Sequence, residues 1–533
     1  MEEVQGIRQK ASKCLHLKNM YPEKDDAPAF EKFYLPFGGR LHGDNRWVKM
    51  NDLIPWDEVE ERYRSCFKKK KGRKAKNVRL ALGALIIKEK LKLTDEETVE
   101  QIRENHYLQF FLGFDGYRYE RPFEASMMTY FRRRLGPEVI AEINEIIAKK
   151  FHEEQEAKTK QESVAKKEIH DDDRHDDDQG NHGQLLLDAT CAPQDMRHPS
   201  DVLLLNECRE KTEHIIDVLH DAMPGADKPR TYRKVARKEF LIFMHSRKRT
   251  KRIIRRALRK QIAYVKRNID TIDDMRKGIT ADPLSTRLER DLEVVREILR
   301  QQIYLYKNNT HAIPGKILSI SQPHVRAIAR GKARGNFEFG AKISAAVAPH
   351  RMVYIDRLSW EPYNECEDLI PQVEKYRERF GYYPESVHAD KIYRTRANLQ
   401  YCAEKKIRLS GPKLGRPFKN TESNEAKIRA LKKIMRQDEA IRQEVESVFG
   451  VGKRRYGLDC IMARTKRTSE SMIMLSVLVM NLETILRDLL FVLFGLRWNC
   501  VLQRLQSVWR GFRRTVLHQF IGEYGENKAF VTA

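Results

Sequence analysis

Two short apolar runs, each closed by an aspartate, constrain the fold of this chain more than any other feature. Residues 184–190 read QLLLDAT and residues 384–390 read PESVHAD, so the runs end at Asp188 and Asp390. Short apolar runs of this kind are typical of buried strands. Acidic side chains at strand ends can converge, so the sequence predicts a sheet in which these two carboxylates meet.

A third acid lies on a predicted helix at residues 441–456, which read IRQEVESVFGVGKRRY. Arg442, Glu446 and Lys453 are spaced by four and seven residues, and on a helix these intervals share one face. One interpretation is a surface ion pair with an additional lysine. The other is an active-site face that holds a divalent metal and binds phosphate oxygens.

The details of this helix leave two alternatives open. Glu439 and Glu444 are nearby carboxylates that compete with Glu446 for the same role. Gly450 and Gly452 precede Lys453, so the helix either includes the lysine or ends before it and leaves it on a loop.

Two aspartates and a distal glutamate are a suitable ligand set for a pair of magnesium ions, because Mg²⁺ is a hard cation that prefers oxygen ligands. Two such ions can activate the attacking oxygen and stabilise the leaving oxygen during in-line attack on a phosphodiester. The formal charge of +25 and the sequence pI near 9.6 favour a polyanionic partner over a small neutral substrate. Nucleic acid is the expected partner.

With these motifs the chain resembles the bacterial insertion-sequence transposases, which carry a DDE active site on a ribonuclease-H-like core. The matching residues are DAT at 188–190, HADKIY at 388–393, and the set Arg442, Glu446 and Lys453. Residues 80–150 also resemble the helical amino-terminal domain of such transposases.

In many family members the last motif reads tyrosine, two residues, arginine, three residues, glutamate, six residues, lysine. Here Glu439 occupies the place of the tyrosine, which is a departure from the family pattern. Glu446 is preferred over Glu444 and Glu439 because it alone has the arginine and the lysine at the family spacing.

The resemblance implies that Asp188, Asp390 and Glu446 are catalytic and bind two Mg²⁺ ions, for which Mn²⁺ can substitute. Arg442 and Lys453 are expected to bind DNA phosphates near the cut. The implied reaction is a nick at the ends of the element, followed by attack of the freed 3′ hydroxyl on target DNA. Expected partners are double-stranded DNA, both terminal inverted repeats and target, and a second copy of the chain in the DNA complex.

Two alternatives to a transposase remain from the same residues. The first is a ribonuclease-H-like nuclease that cuts DNA without strand transfer. The second is a domesticated DNA-binding protein that keeps the scaffold without the chemistry.

The expected fold class is α/β, with a ribonuclease-H-like mixed sheet, a long helical insertion after its first strand and an all-α amino-terminal domain. The predicted divisions are a helical DNA-binding domain at 1–152, an acidic disordered linker at 153–183, a catalytic core at 184–200 and 317–496, a basic helical insertion at 201–316, and a basic aromatic tail at 497–533.

The amino-terminal part begins with residues 1–60, which have little periodicity and are predicted to be loosely structured. The basic run at 67–79 either contacts a DNA backbone or is a solvated linker. An apolar helix is predicted from Leu80 to Leu93, and Thr94 with Glu97 fits a capping box for a second helix. The two helices suggest a helix-turn-helix-like unit.

The two polar segments that follow differ in charge. Residues 153–183 contain EIHDDDRHDDDQGNHG and are predicted to be disordered, with a His/Asp metal site as the alternative. Residues 231–260 hold thirteen lysines and arginines against one acid, Glu239. This basic segment either contacts DNA or serves as a solubilising face. Residues 287–306 have the pattern of a partner in a helical hairpin, and plain packing is the preferred interpretation of this stretch.

The remainder of the core is predicted from alternating strand and helix patterns. Residues 340–348 and 351–359 predict a hairpin, followed by a helix at 364–380, the strand to Asp390, a helix at 394–406 and a short strand at 407–410. His388 is interpreted as a core histidine rather than a catalytic one.

Residues 472–496 are apolar enough to suggest a membrane span. Asn481, Glu483, Arg487 and Asp488 interrupt the run, so a buried helix packed on the sheet is predicted and no membrane partner is expected. The amino terminus lacks the apolar core of a signal peptide and the cysteines are scattered singly, which suggests a reduced, cytoplasmic compartment. The family resemblance implies a bacterial, nucleoid-associated protein.

Overall fold

The computed structural model describes residues 32–35, 39–67, 74–167, 180–223, 225, 227–278, 283–329, 337–412, 415 and 422–491. The helices are α1 (Arg46–Leu53), α2 (Trp56–Arg64), α3 (Val78–Leu91), α4 (Asp95–Glu104), α5 (His106–Phe111), α6 (Met127–Lys167), α7 (Asp201–Asp221), α8 (Arg233–His245), α9 (Lys251–Lys277), α10 (Thr286–Asn308), α11 (Leu369–Phe380), α12 (Arg396–Glu404), α13 (Glu422–Arg455) and α14 (466–491). The strands are β1 (Gln184–Pro193), β2 (Arg326–Ala329), β3 (Phe337–Val347), β4 (Val353–Ser359), β5 (Ser386–His388) and β6 (Arg408–Leu409).

The strands form one mixed sheet with β1 in its interior. β1 pairs antiparallel with β3, where Asp188 lies opposite Ala345, and parallel with β5, where Leu186 lies opposite His388. β2 and β4 both pair antiparallel with β3, and β5 pairs parallel with β6. The strand order is therefore β4-β3-β1-β5-β6, with β2 on β3 as well. The predicted α/β class is confirmed.

The hairpin predicted at residues 340–359 is present as β3 and β4, joined by a short turn at Pro349–Arg351. The two parallel strands are shorter than predicted, since β5 has three residues and β6 has two. The predicted helix at 364–380 begins with a 3-10 turn at Glu365–Asp368 before α11.

Four helices, α7 to α10, occupy the chain between β1 and β2, as the helical spacing of apolar residues predicted. They bury a cluster of their own that includes Leu205, Val265 and Ile298, each 0% exposed. Because these side chains pack on one another rather than on the sheet, the insertion is held together by its own core.

The amino-terminal helices differ from the expectation for residues 1–60. α1 and the start of α2 lie in this stretch, so the prediction of loose structure is wrong for residues 46–60. Asn45 caps α1 by accepting a hydrogen bond from Trp47 N at 2.9 Å, and Met50 and Val59 are fully buried. These contacts fix the two helices on α3. Residues 1–31 lie outside the described residues.

The predicted helix pair downstream is present as α3 and α4. Thr94 and Glu97 form the predicted capping box, in which Glu97 N donates to Thr94 Oγ1 at 3.1 Å and Thr94 N donates to Glu97 Oε2 at 2.9 Å. Lys92 ends α3 in the left-handed conformation, with φ of 55°. The capping box and this left-handed residue define the tight connection between the helices.

Helix α6 is interrupted at Gly136, which has a φ of 66° and is followed by Pro137. The helix then continues to Lys167. The predicted start of disorder at residue 153 is therefore wrong for residues 153–167. Their sequence, EEQEAKTKQESVAKK, consists largely of good helix formers. Residues 168–179, which contain most of the acidic run, lie outside the described residues.

Helix α14 is buried between the sheet and the amino-terminal helices, as predicted. Val353 N donates to Asn481 Oδ1 at 2.9 Å, and Asn481 Nδ2 donates to Asn144 Oδ1 at 2.8 Å, so one side chain links β4, α14 and α6. Within the described part of the chain, no helix is long and apolar enough to cross a membrane. Residues 492–533, including the predicted tail, lie outside that part.

Candidate active site

The parallel pairing of β1 and β5 sets Asp188 beside Asp390. Both aspartates lie two residues beyond the paired residues Leu186 and His388. Neighbouring strands are about 4.8 Å apart, so the two backbones are close at this point. Asp188 does not end its strand as predicted, because β1 continues to Pro193 along β3. Asp390 follows the end of β5 and starts a 3-10 turn.

Both aspartates have backbone hydrogen bonds that orient them. Ala189 N donates to Asp188 Oδ1 at 2.8 Å, and Lys391 N donates to Asp390 Oδ1 at 2.6 Å. Burial raises the pKa of Asp188 to about 6, the hydrogen bond from Ala189 opposes the rise, and the charges of Glu365 and Asp390 add to it. Crowded carboxylates of this kind favour a proton or a cation.

Glu365 is a site-adjacent acid that the sequence analysis did not single out. It lies in the 3-10 turn before α11, and Lys342 Nζ of β3 approaches its Oε1 to 2.8 Å. Nothing in the spacing of the motifs points to Glu365, because its position depends on the path of the chain after β4. It adds negative charge next to Asp188.

Arg442 occupies the centre of the candidate face on α13. Its Nη1 donates to Glu446 Oε1 at 2.9 Å and its Nη2 donates to Glu439 Oε1 at 2.8 Å. Hydrogen bonding with Glu439 is the largest cause that raises the pKa of Arg442, and the same bond lowers the pKa of Glu439. The positive charge of Arg442 also acts on Asp188. Arg442 thus lies between the helix carboxylates and the strand carboxylates.

Glu446 is not clustered with the two aspartates. Its side chain is 54% exposed and is ion-paired with Arg442, whose side chain is 22% exposed. Among the residues that the structure describes, no three His, Cys, Asp or Glu side chains are arranged to hold a metal ion. The structure therefore places Asp188 beside Asp390 and leaves Glu446 ion-paired with Arg442.

Lys453 lies in the last turn of α13, because the helix continues through both glycines to Arg455. The alternative in which the helix ends before the lysine is wrong. A Cβ atom at Gly452 would lie 2.8 Å from Leu458 Cδ1 and 3.0 Å from Met480 Sδ. The glycine is needed for close packing of α13 on α14, and it does not break the helix.

Helix α13 is attached to the sheet through Asp438. Arg408 of β6 donates from Nη1 and Nη2 to the two Asp438 oxygens at 2.9 and 2.8 Å. His388 of β5 is fully buried, its Nδ1 lies 3.5 Å from Asp438 Oδ1, and its Nε2 lies 3.0 Å from Ser386 Oγ. Burial lowers the pKa of His388. This environment favours the interpretation of His388 as a core residue.

Comparison with known protein families supports one assignment. The family described as "Transposase DDE domain" matches residues 387–483, and the family described as "Transposase domain (DUF772)" matches residues 36–134. Both matches are to transposase families, and each covers less than half of the chain. The matched region of the DDE family includes Asp390, Arg442, Glu446 and Lys453 and begins after Asp188. The resemblance found in the sequence is thereby confirmed at the level of the family.

A curated relative of this chain is "Uncharacterized protein ORF8 in nfe locus" of Rhizobium meliloti. It is 40% identical over 96 residues, which are 18% of this chain and 46% of the relative. The chain therefore matches less than half of the length of this curated relative. No solved structure matches the chain significantly.

Arg79 corrects one expectation about the basic run at 67–79. The side chain is buried, with Nη2 donating to Phe110 O at 2.9 Å and to Asn51 Oδ1 at 2.7 Å, and Nε donating to Phe111 O at 3.1 Å. Burial lowers its pKa to about 10. Arg79 therefore joins α1, α3 and α5 and does not face DNA. Residues 68–73 of the run lie outside the described residues.

Proposed function

We propose that this chain is a transposase that cleaves DNA at the ends of an insertion sequence and joins the freed 3′ hydroxyl to target DNA. The observation that carries the proposal is the placement of Asp188 and Asp390, each two residues beyond the last paired residues of the neighbouring parallel strands β1 and β5, with the charge of Arg442 acting on Asp188. Two crowded carboxylates beside an arginine are suited to phosphodiester chemistry, since they can bind a cation while the arginine binds a phosphate.

The proposed architecture is a ribonuclease-H-like core preceded by a helical DNA-binding domain. It is supported by the order of the strands, in which β1, β3 and β4 are antiparallel neighbours and β5 and β6 follow in parallel on the other side of β1. The helical insertion after β1 fits the same proposal. Helix α6 would then connect the helical domain to the core.

Asp188, Asp390 and Glu446 are the proposed ligands of a divalent metal, Mg²⁺ with Mn²⁺ as a substitute. These residues fit Mg²⁺ in their chemistry, because carboxylate oxygens are the ligands that Mg²⁺ prefers. They also fit in their placement, because the two aspartates are adjacent. When bound, the metal would supply activation of the attacking oxygen and stabilisation of the leaving oxygen. Glu446 must first leave Arg442, and its side chain is 54% exposed, so little packing opposes the change.

Arg442 and Lys453 are the proposed phosphate ligands. Once its ion pair with Glu446 is broken, Arg442 would present two terminal nitrogens to a phosphate, a geometry that guanidinium groups favour. Lys453 lies two turns along the same face of α13, where it can bind the next phosphate. Double-stranded DNA is the proposed partner, and we propose that the chain forms a homodimer in the DNA complex.

The test uses labelled DNA from both sides of the coding region, a supercoiled target plasmid and the variant Asp188→Asn. The variant removes a ligand charge and little volume, so it should lose cleavage and joining while it retains DNA affinity. Asp459→Asn is the matched control, because it makes the same change at an exposed position. Full cleavage by Asp188→Asn overturns the assignment.

The same assay separates the two alternatives by the wild-type products. Cleavage without joined products supports a nuclease, because strand transfer alone links labelled ends to the plasmid. DNA binding with neither product supports a domesticated binding protein.

A further inference from the structure

A cavity of about 480 Å³ lies between α13, α14 and the start of β4, away from the candidate catalytic face. We propose that this cavity binds phosphates of the DNA backbone at a second position, remote from the cut. This inference rests on the proposed function, because it takes DNA to be the ligand. Four arginines line the cavity, namely Arg351, Arg454, Arg455 and Arg487, and its described lining contains no carboxylate.

The position of the cavity on α13 separates it from the candidate active site. Successive residues of a helix are rotated by about 100°. Arg455 therefore lies about 180° from Glu446 and about 140° from Arg442 around the axis of α13, while Arg454 lies about 80° and about 120° from the same two residues. The cavity is thus reached from another side of the helix than the candidate catalytic residues, with Arg455 on the far side.

Three of the four arginines have no carboxylate partner among the described residues, and the fourth, Arg351, is ion-paired with Glu444. Arg454 Nε donates to the backbone oxygen of Gly450 at 3.2 Å, and Arg487 Nη2 donates to Thr484 Oγ1 at 3.4 Å. Among the described residues, neither of these arginines nor Arg455 forms an ion pair with a carboxylate. The mutual repulsion of these charges is unfavourable, and a bound anion would relieve it.

Acids also lie near the cluster, and one of them, Glu483, lines the adjoining cavity that shares Arg455 and Arg487. Glu444 Oε1 is 3.4 Å from Arg351 Nη2, and the charge of Asp488 acts on His350. Burial raises the pKa of Tyr456, while the charges of Arg455 and Arg487 oppose this rise, so both arginines converge on the tyrosine. The interior of the cavity therefore keeps its positive charge.

The shape of the surroundings favours a polymer over a small anion. A neighbouring cavity of about 700 Å³ shares Arg455, Tyr456 and Arg487 with the first. It adds Arg46 and Lys90 from α1 and α3 together with two carboxylates, Asp44 and Glu483, and Lys90 is ion-paired with Glu483 there. The two cavities form one groove that continues towards the amino-terminal helices, and its arginines outnumber its carboxylates. Exposed arginines along a groove can bind successive phosphates of a backbone.

The test measures the affinity of the protein for a DNA duplex by fluorescence anisotropy over a range of salt concentrations. The double variant Arg455→Gln/Arg487→Gln should lower affinity at least tenfold at low salt and reduce the slope of log K against log salt by about 1.8, since each lost phosphate contact contributes about 0.9. The matched control Arg429→Gln/Arg436→Gln removes two exposed charges from the same helix and should leave the slope unchanged.

Two further variants keep the test decisive if the double variant does not fold. Arg455→Lys/Arg487→Lys retains the charges and should retain most of the slope, whereas Arg454→Gln alone should reduce it by about 0.9. A wild-type slope in Arg454→Gln and in the double variant overturns the inference. If inorganic phosphate raises the melting temperature of the wild type but not of the variant, with DNA affinity unchanged in both, the cavity is a small-anion site and the inference is also overturned.

The outcome is independent of the chemistry at Asp188. Asp188→Asn, with its arginines intact, should bind DNA with the wild-type salt slope. If the wild type fails to cleave while the arginine variants still lose affinity, the proposed function fails and this DNA-binding groove stands.

Discussion

Arg442 Nη1 donates to Glu446 Oε1 at 2.9 Å, one turn along α13, while the charge of the same arginine acts on Asp188 of β1. The third candidate carboxylate is thus neutralised by a cation of its own helix. Asp188 and Asp390 remain crowded without it, and burial raises the pKa of Asp188 to about 6. Moving Glu446 from Arg442 to the aspartates would supply the missing ligand and free the arginine for phosphate.

This arrangement predicts which glutamate of α13 is catalytic. Glu446→Gln should abolish cleavage while DNA affinity stays the same, because the change removes one carboxylate charge at nearly constant volume. Glu444→Gln should remain active, since Glu444 pairs with Arg351 on another face. Glu439→Gln should retain at least a tenth of the activity, because Glu439 only shares Arg442. Cleavage rates on labelled DNA compare the three variants. If Glu444→Gln is inactive and Glu446→Gln is fully active, the catalytic glutamate is Glu444.

Attachment of α13 to the sheet gives a second prediction. Asp438→Asn should destabilise the protein by about 1–3 kcal/mol, because it leaves Arg408 and His388 next to a neutral group in place of a largely buried carboxylate. Glu425→Gln breaks an exposed pair with Arg429 on the same helix and should cost less than about 1 kcal/mol. Urea denaturation compares the two. Equal losses would show that Asp438 contributes no more than a surface pair.

The pairing of the two aspartates could be predicted from sequence because both acids follow apolar runs, and parallel strands in register bring equivalent positions together. The spacing of Arg442 and Glu446 likewise predicted their shared face. Spacing does not determine how a helix is rotated about its axis against a sheet. The ion pair between Arg442 and Glu446, in place of a cluster of three acids, was therefore not predictable.

Other differences have a similar physical origin. Glu365 reaches the neighbourhood of Asp188 through the chain path after β4, which no local pattern encodes. Arg79 belongs to a basic run by sequence, yet three oxygen acceptors from α1 and α5 surround it. Residues 153–167 were assigned to a polar linker, but the propensity of their Glu, Lys and Ala residues continues α6. In each case tertiary contacts or intrinsic propensity outweighed the pattern of charge.

Burial of Glu89 predicts a pH dependence of stability. Glu89 of α3 accepts a hydrogen bond from Ser476 Oγ of α14 at 3.0 Å, and burial raises its pKa to about 7. The folded state therefore prefers the protonated acid, so the wild type loses stability as the pH rises from about 4.5, the ordinary value for glutamate, to about 7. Glu89→Gln lacks this loss. The free energy of unfolding of the variant relative to that of the wild type should therefore rise by about 2–3 kcal/mol between pH 5 and pH 8.

Denaturation midpoints at several pH values measure this advantage. Glu96→Gln is the control, because it removes an exposed carboxylate from the neighbouring helix α4 and should follow the wild type at every pH. A constant difference between Glu89→Gln and the wild type across this range would contradict the burial of a protonated Glu89.

The basic insertion gives the last prediction. Arg252, Arg256 and Arg259 are exposed on one side of α9, at intervals of four and three residues, while Val265 and Ile269 are buried in the insertion core. Within the described residues none of the three arginines is ion-paired with a carboxylate, so they are available to phosphates. Changing all three to glutamine should reduce the slope of log K against log salt for duplex DNA by up to about 2.7.

A control with the same change in charge distinguishes DNA contact from a general effect of net charge. Arg276, Arg296 and Arg300 are paired with Glu289, Asp273 and Glu297 respectively, and their triple change to glutamine should leave the slope near the wild-type value. Release of counterions depends on phosphates contacted and not on total charge, so the two triple variants should differ. An unchanged slope in the α9 variant would make this face a solubilising surface, and equal reductions in both variants would indicate long-range attraction.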